Sequence, residues 1–482
     1  MRTIISTIIL LLDLTISYAQ KKSLVINLDN LKKEASVSID SRYETYKNVE
    51  LQIWNAAEVG FKENKSTNLL QSTLKANGFN VESGVAGMPT AFIATYGTGH
   101  PVIAILAEFD ALPGLSQDSS AIKTLVAGRN AGHGCGHHLF GTGSVAAGVA
   151  IKQLIESGRI KGTVKIFGSP AEEGGGGKVY MVREGLFKEV DVALHWHPSD
   201  VNAVAFSSAL AYKSAKFRFH GISAHASGAP DKGRSALDGV EAMDNMVNMM
   251  REHVPQETRI HYVITQGGKA PNVVPDFAEV FYYVRHPERA QVETIFERVV
   301  KAAEGAALGT DTKVDHEVID GTHDLLINST LALDMQENLM KIGGIRYTTE
   351  ELAFANSLQS SFLGKVDPPD SASMVRSLQP EKGQGSTDVG DVSYVVPTVG
   401  MSAATWVPGT PAHSWQATAC GGKDMAARAM IVAAKTLAWT AIDLFNRPAL
   451  IESAKAEFNQ QIGNYQYKSL LGDRKPALNY RD

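Results

Sequence analysis

A glycine-rich run in the first third of the chain holds one thiol and three imidazoles. It reads Gly132-His133-Gly134-Cys135-Gly136-His137-His138. Glycine allows sharp backbone turns, so the Cys135 and His137 side chains can point to one place. Thiolate and imidazole are common ligands of zinc and related metals. Many loops contain a cysteine and a histidine, so the run needs support from other segments.

Three later segments supply residues of the same chemical types. Glu172 and Glu173 precede a run of four glycines, His195 and His197 flank a tryptophan, and His413 lies in a Pro-Ala-His-Ser segment. One carboxylate of an adjacent pair can bind a metal while its neighbour accepts a proton from water. Both strand-end histidines reach one site only if their strand continues through them, so the choice between them stays open.

The two cysteines, Cys135 and Cys420, permit other interpretations. They could form one disulfide in an exported protein, although the neighbouring histidines favour Cys135 as a metal ligand. Cys135 could also be a nucleophile with His137 as its base, which makes a thiol hydrolase the alternative enzyme. The non-enzymatic alternative is an exported metal- or ligand-binding protein with a degenerate site.

Hydrophobic patterning predicts the elements that position these residues. Apolar runs at 102–109, 163–169 and 190–194 are typical of buried strands, and helical segments at 139–157 and 178–185 alternate with them. This alternation predicts an α/β fold with a mainly parallel sheet flanked by helices. Ligands of such sheets bind beyond the carboxyl ends of the strands.

Several candidate residues, with Asp110, follow directly after predicted strands, which places them at that edge of the sheet. The remaining patterns predict a helix over 39–57, an irregular segment over 357–379 and an Ala-rich helix over 424–445.

The pattern changes between residues 213 and 327. Strands and helices follow in the order β-α-β-β-α-β, which is the ferredoxin-like arrangement. We therefore expect a first part of the main domain at 20–212, an inserted domain at 213–327 and a second part at 328–482. His225 lies in the insertion, so it would reach the main-domain site only by domain closure or from a partner subunit.

Composition and the first residues bear on partners and compartment. A net charge of −5 over 482 residues, with no basic stripe, excludes nucleic acid as the main partner. Residues 1–19 combine Arg2, an apolar run and Ser17-Tyr18-Ala19, which predicts a signal peptide and export to the periplasm or medium. No other segment looks apolar enough for a membrane helix, so we expect no membrane contact in the mature form.

Taken together, these motifs resemble those of the dinuclear-metal peptidases and amidohydrolases, a family that includes aminoacylases, indole-acetyl-amino-acid hydrolases and glutamate carboxypeptidase. The resemblance covers the chain after the signal peptide. The motifs that carry it are Asp110-Ala-Leu-Pro, Gly-His-Gly-Cys135-Gly-His137, Pro-Ala-Glu172-Glu173-Gly-Gly-Gly-Gly, Trp-His197-Pro, Phe-His-Gly-Ile-Ser-Ala-His225, Pro271-Asn272-Val-Val-Pro and Thr-Pro-Ala-His413-Ser.

The resemblance implies metal-dependent hydrolysis of an amide between an acyl or aroyl group and an amino acid, as in p-aminobenzoyl-glutamate-like compounds, N-acyl amino acids or dipeptides. It implies two divalent metal ions, zinc foremost, with manganese or cobalt as alternatives. It also implies that the inserted domain is a lid and a dimer interface, giving a homodimer with a companion subunit as the alternative.

Site residues carry over onto matching positions. The implied metal ligands are Cys135, His137, Glu173, His197 (with His195 as its alternative) and His413; the implied general base is Glu172; the residue offered by a partner subunit is His225; and the groups that grip the substrate are Asn272 and Arg285. Many relatives have Asp or Asn where this chain has His138, which predicts altered hydrogen bonding around the ligands or altered metal preference.

Overall fold

The structure is a computed structural model that describes residues 27–482, so the predicted signal peptide lies outside the described residues. The strands in this range are β1 Asn80–Ser83, β2 Phe92–Gly97, β3 Val102–Glu108, β4 Leu112–Pro113, β5 Ala131–Gly132, β6 Thr163–Ser169, β7 Val192–Ser199, β8 Ala203–Val204, β9 Ser207–Ser208, β10 Ala211–His220, β11 Arg259–Gln266, β12 Phe277–His286, β13 Lys313–Thr322, β14 Glu381–Lys382 and β15 Thr398–Ala404. The helices are α1 Leu28–Asp40, α2 Tyr43–Ala56, α3 Asn64–Ala76, α4 His137–Glu156, α5 Glu172–Gly175, α6 Gly177–Arg183, α7 Ala236–Met250, α8 Arg289–Gly309, α9 Ser329–Ile342, α10 Thr349–Gln359, α11 Val389–Ser393, α12 Trp415–Gly421, α13 Asp424–Asn446 and α14 Pro448–Ile462.

Seven strands form the main sheet, in the order β1-β2-β6-β3-β7-β15-β8. The four central strands, β6, β3, β7 and β15, run parallel, and the outer pairings are antiparallel. Every residue of β3 is buried, as expected for a strand covered on both faces. The predicted α/β fold with a mainly parallel sheet is confirmed.

Helices α4 and α13 pack against each other and against this sheet. Small residues make the close packing possible, since a Cβ added at Gly143 would lie 2.9 Å from the Trp196 ring and 3.0 Å from Met430 Cγ. In the described part of the chain, α13 is the one helix long and apolar enough to cross a membrane by length and composition, contrary to our expectation. Its most apolar stretch is 83% buried inside the protein, as in a core helix.

The segment after β9 forms a second, four-stranded sheet in the order β11-β12-β10-β13. All its pairings are antiparallel, and α7 and α8 pack on it around a core of its own. The chain order β10-α7-β11-β12-α8-β13 confirms the predicted ferredoxin-like arrangement. Strand β11 lies at the edge of this sheet, and Val263 on it is 56% exposed.

Three local predictions were wrong. The helix predicted over 39–57 is two helices, because α1 packs on α13 while α2 packs on α4 and the chain bends between them. The strand predicted to end at Leu194 continues to Ser199, because β15 pairs with it as far as that residue. The segment predicted as irregular contains the end of α10 and a short 3-10 turn at Pro369–Ser373.

Candidate metal centre

All five residues predicted as metal ligands meet beyond the carboxyl ends of the central strands. Two groups of donor atoms, each within 4.8 Å of one another, contain them: Cys135 with His137 and His197, and Cys135 with Glu173 and His413. Cys135 belongs to both groups, so its sulfur lies where one ligand could contact two cations. The arrangement matches the N, O and S donor set of a zinc-type site.

A tight loop before α4 positions Cys135. Gly136 has φ +80°, and a Cβ there would lie 2.5 Å from Pro198, so only glycine allows the loop to approach β7. The thiol of Cys135 lies 3.4 Å from His197 Nε2. The loop that carries His413 is tied to the same place, because the His413 backbone N–H donates to Gly134 O at 2.9 Å.

Of the two strand-end histidines, His197 is the one whose donor atom joins the cluster. Its Nδ1 donates to Pro198 O at 2.7 Å, which leaves Nε2 free to bind a cation. Burial, with the charge of His137 nearby, lowers the pKa of His197 and keeps it neutral, as a ligand must be. His195 also lines the cavity, but its ring packs against Gly400 on β15.

The glutamate pair is turned into the site by a strained backbone. Ala171 adopts a left-handed conformation, φ +56°, and its N–H donates to the buried Glu63 carboxylate at 2.9 Å. The Glu173 N–H donates to Asp110 Oδ2 at 3.0 Å, and Glu173 Oε1 lies 3.1 Å from His413 Nε2. Adjacent residues thus serve two separate places.

Glu172 groups instead with Glu108 and His137, whose donor atoms lie within 4.8 Å of its own. Burial raises the pKa of Glu172 well above its ordinary value, and the charges of Glu108 and Glu173 raise it further. A carboxyl group with a raised pKa, outside both Cys135 groups, is suited to accept and return a proton.

Several buried atoms at the centre lack a hydrogen-bond partner, which tests whether the residues fit a metal. His137 Nδ1 lies 2.8 Å from Asp110 Oδ1, whereas His137 Nε2, Glu108 Oε2 and Glu173 Oε1 are buried without a partner. Burial also raises the pKa of the Cys135 thiol, so a thiolate there needs a cation. The residues fit divalent cations bound between them.

The remaining predicted residues divide between two ends of the inserted sheet. Arg285 lines the cavity of about 760 Å³ at the metal centre and lies over the rings of Tyr212 and Tyr283, 5.2 and 5.3 Å from their centres. His225 and Asn272 are exposed and adjacent to each other at the opposite end. Tyr212 and His220 lie eight residues apart on β10, so the two ends are about 26 Å apart at 3.3 Å per residue. Within one chain, His225 and Asn272 are not at the metal centre.

Sequence reasoning missed three charged residues at the centre. Glu108 ends the otherwise apolar β3, Lys178 follows the glycine run, and Asp388 precedes α11; all three are buried. The signal for Glu108 was present, since it is the one charge in a continuous apolar run. His138 faces away from this group, with its Nε2 3.1 Å from Gly421 O and 3.6 Å from the buried Glu50.

Comparisons with known proteins agree with this fold and site. Residues 211–311 match the family described as the M20 peptidase dimerisation domain. The chain is 39% identical over 459 residues to one of the named subunits of the p-aminobenzoyl-glutamate hydrolase of Escherichia coli, which covers 89% of this chain and 95% of that protein. It is 30% identical over 457 residues to Xaa-Arg dipeptidase of Mus musculus, covering 91% and 94%.

Solved structures share the fold. A dinuclear metal-binding peptidase of the M20 family from Bacillus subtilis superposes with a TM-score of 0.57 at 17% identity, over 84% of this chain and 99% of that one. At this identity the likeness shows a common architecture and nothing about substrate.

Proposed function

Because the chain belongs to the M20 family of metal-dependent peptidases and amidohydrolases, we propose that it hydrolyses the amide bond between an acyl or aroyl group and an amino acid. One observation carries the proposal: the two donor groups that share Cys135 lie next to Glu172, which belongs to neither. We propose zinc as the resident cation, with manganese and cobalt as alternatives, because thiolate and imidazole donors suit zinc best among these metals.

The chemistry divides between the cations and the protein. Two bound divalent cations supply Lewis-acid polarisation of the amide carbonyl and make a water more acidic. Glu172 accepts the proton of the attacking water and returns it to the leaving amine nitrogen. Asp110 holds His137 by its Nδ1, and Glu63 holds the backbone turn that presents Glu172. These contacts keep the donors in place without moving protons themselves.

The thiol-hydrolase alternative is less well supported. Burial raises the pKa of Cys135, whereas a nucleophilic cysteine requires a lowered one. His137, its proposed base, already has Nδ1 engaged with Asp110. A chelator separates the alternatives, because metal-dependent turnover stops on metal removal and a thiol hydrolase would continue.

The cavity favours an acidic leaving amino acid. Arg285 reaches the cavity from β12, and no salt bridge to a carboxylate is seen for it among the described residues. An unpaired guanidinium is suited to grip a substrate carboxylate. The carboxylates that line the described cavity are Glu108, Glu172, Glu173 and Asp388, and all of them surround the metal centre or Lys178. None of them is left for a basic substrate side chain, so we propose glutamate-like leaving groups over arginine.

We also propose a homodimer formed through the inserted domain. On the edge strand β11, the exposed fractions of Tyr262, Val263 and Ile264 are 36%, 56% and 40%. An exposed apolar edge strand is a ready pairing surface for another chain. A second copy bound there would bring its own His225 and Asn272 to the metal centre that this chain's residues cannot reach. A companion subunit of different sequence is the alternative, since the hydrolase of Escherichia coli is itself named by its subunits.

The predicted domain boundaries and export belong to the same proposal. We assign residues 20–212 and 328–482 to the catalytic domain and 213–327 to the inserted dimerisation domain. Residues 1–19 would direct the chain to the periplasm or medium, which N-terminal sequencing of the mature protein would check.

A substrate panel tests the function directly. Purified protein would be given p-aminobenzoyl-glutamate, hippurate and an Xaa-Arg dipeptide, each with and without added zinc, manganese or cobalt. The proposal expects metal-dependent release of the amino acid, fastest from p-aminobenzoyl-glutamate. Absence of turnover on every amide with two cations bound would refute it. Replacing Arg285 by Met should raise KM for the acidic substrate more than it lowers kcat.

A further inference from the structure

A buried group of three charges lies directly behind the metal centre. Lys178 Nζ lies 2.6 Å from Glu108 Oε1 and 2.7 Å from Asp388 Oδ1, and the three side chains are 0–1% exposed. Asp388 also accepts the Lys178 backbone N–H at 2.8 Å through its second oxygen. The ammonium is therefore fixed from two sides, at the start of α6.

The group is not electrically balanced. Two carboxylates and one ammonium leave one net negative charge in a place closed to water. An uncompensated buried charge is costly unless a counter-charge lies beside it. Of the four carboxylate oxygens, Glu108 Oε2 has no hydrogen-bond partner. The unmatched charge is thus directed through that oxygen.

That free oxygen faces the metal centre. Glu108 Oε2 lies 3.1 Å from His137 Nε2. Asp110 takes the hydrogen on the other ring nitrogen, so a neutral His137 presents the lone pair of Nε2 to the carboxylate. Two acceptor atoms at this distance repel each other unless a cation lies between or beside them.

We propose that Lys178, locked by Asp388, is a positioning residue that directs the free oxygen of Glu108 toward the cation bound by His137. The inference rests on the proposed metal centre and adds a charged support that the five ligands do not include. Without Lys178, the Glu108 carboxylate would lose the partner that holds its other oxygen and turn away from His137. Supports of this kind contribute about 10–100-fold to metal affinity.

Metal binding by the full chain tests the proposal, with zinc affinity measured by competition against a chromophoric chelator and Co²⁺ absorption as a second readout. We expect Lys178→Met and Glu108→Gln each to weaken one of the two cations by about 10–100-fold. Because Lys178 acts through Glu108, the double variant should be no weaker than Glu108→Gln alone. Additive losses, or wild-type affinity in folded Lys178→Met, would overturn the inference.

Lys32 offers a matched control, since it is also buried and lies 2.5 Å from Asp443, remote from the centre. Lys32→Met should lose stability and keep wild-type metal affinity; equal weakening there would assign the effect to stability and overturn the inference. If Lys178→Met does not fold, Asp388→Asn, which keeps its size, replaces it with at least a tenfold loss expected. Wild-type protein that binds no cation pair would instead refute the proposed function, so the two failures are distinguishable.

Discussion

Replacing Glu172 by Gln separates proton transfer from metal binding. Gln has the same shape but cannot accept a proton, and Glu172 contributes no donor to either Cys135 group. General acid–base catalysis contributes about 10²–10⁴-fold, which corresponds to about 3–5 kcal/mol of transition-state stabilisation. We therefore expect kcat to fall by that factor while two cations remain bound per chain.

The same change has a predicted effect on stability. The pKa of Glu172 is raised by burial and by its acidic neighbours, so the folded protein favours the neutral carboxyl. A group of this kind stabilises the fold at pH values below its ordinary pKa, and its contribution is lost as pH rises through the folded pKa. A neutral amide avoids that loss, so metal-free Glu172→Gln should melt no lower than metal-free wild type at pH 8.

The assay combines stopped-time amino-acid release with metal analysis of the same sample. Glu173→Gln is the contrasting variant, because Glu173 supplies a donor beside His413 and its loss should remove metal as well as activity. Turnover of Glu172→Gln within tenfold of wild type would refute the proton-transfer role. Loss of a cation in that variant would show that Glu172 is a ligand instead.

Three further predictions concern other parts of the molecule. Burial, with Asp443 nearby, raises the pKa of Asp334 to about 6, so wild-type unfolding free energy should fall relative to Asp334→Asn as pH rises from 4 to 6, by at most about 3 kcal/mol in urea denaturation; parallel pH curves would contradict this. Cys135→Ser should lose metal and turnover while Cys420→Ser keeps both, and a chelator should abolish wild-type turnover reversibly. Mixing His225→Ala with Glu172→Gln subunits should restore about a quarter of wild-type activity, since one intact site forms in half of the dimers of a symmetric pair; no recovery after subunit exchange would place His225 outside the partner's site.

The sequence predicted the strand ends at which the site is built, because buried parallel strands have long apolar runs that end at polar residues. It could not decide between His195 and His197, since that depends on β15 pairing with β7 as far as Ser199, about two hundred residues away in the chain. The pairing continues the strand and places His197, not His195, beside Cys135.

Ion pairs between distant segments were beyond sequence reasoning. Lys178 and Asp388 are 210 residues apart, and nothing in either local pattern shows that they meet. The bend between α1 and α2 was missed for a similar reason, because different partner helices, α13 and α4, set the two directions. Local periodicity predicts elements, whereas packing decides which of their side chains meet.

The most direct test of the metal centre is a crystal structure of the purified protein with anomalous diffraction at the absorption edge of the bound metal. The account predicts two cations per chain, both in contact with Cys135 Sγ, one beside His137 and His197 and the other beside Glu173 and His413. A site that binds one cation or none at these donors, or cations held without Cys135, would contradict it.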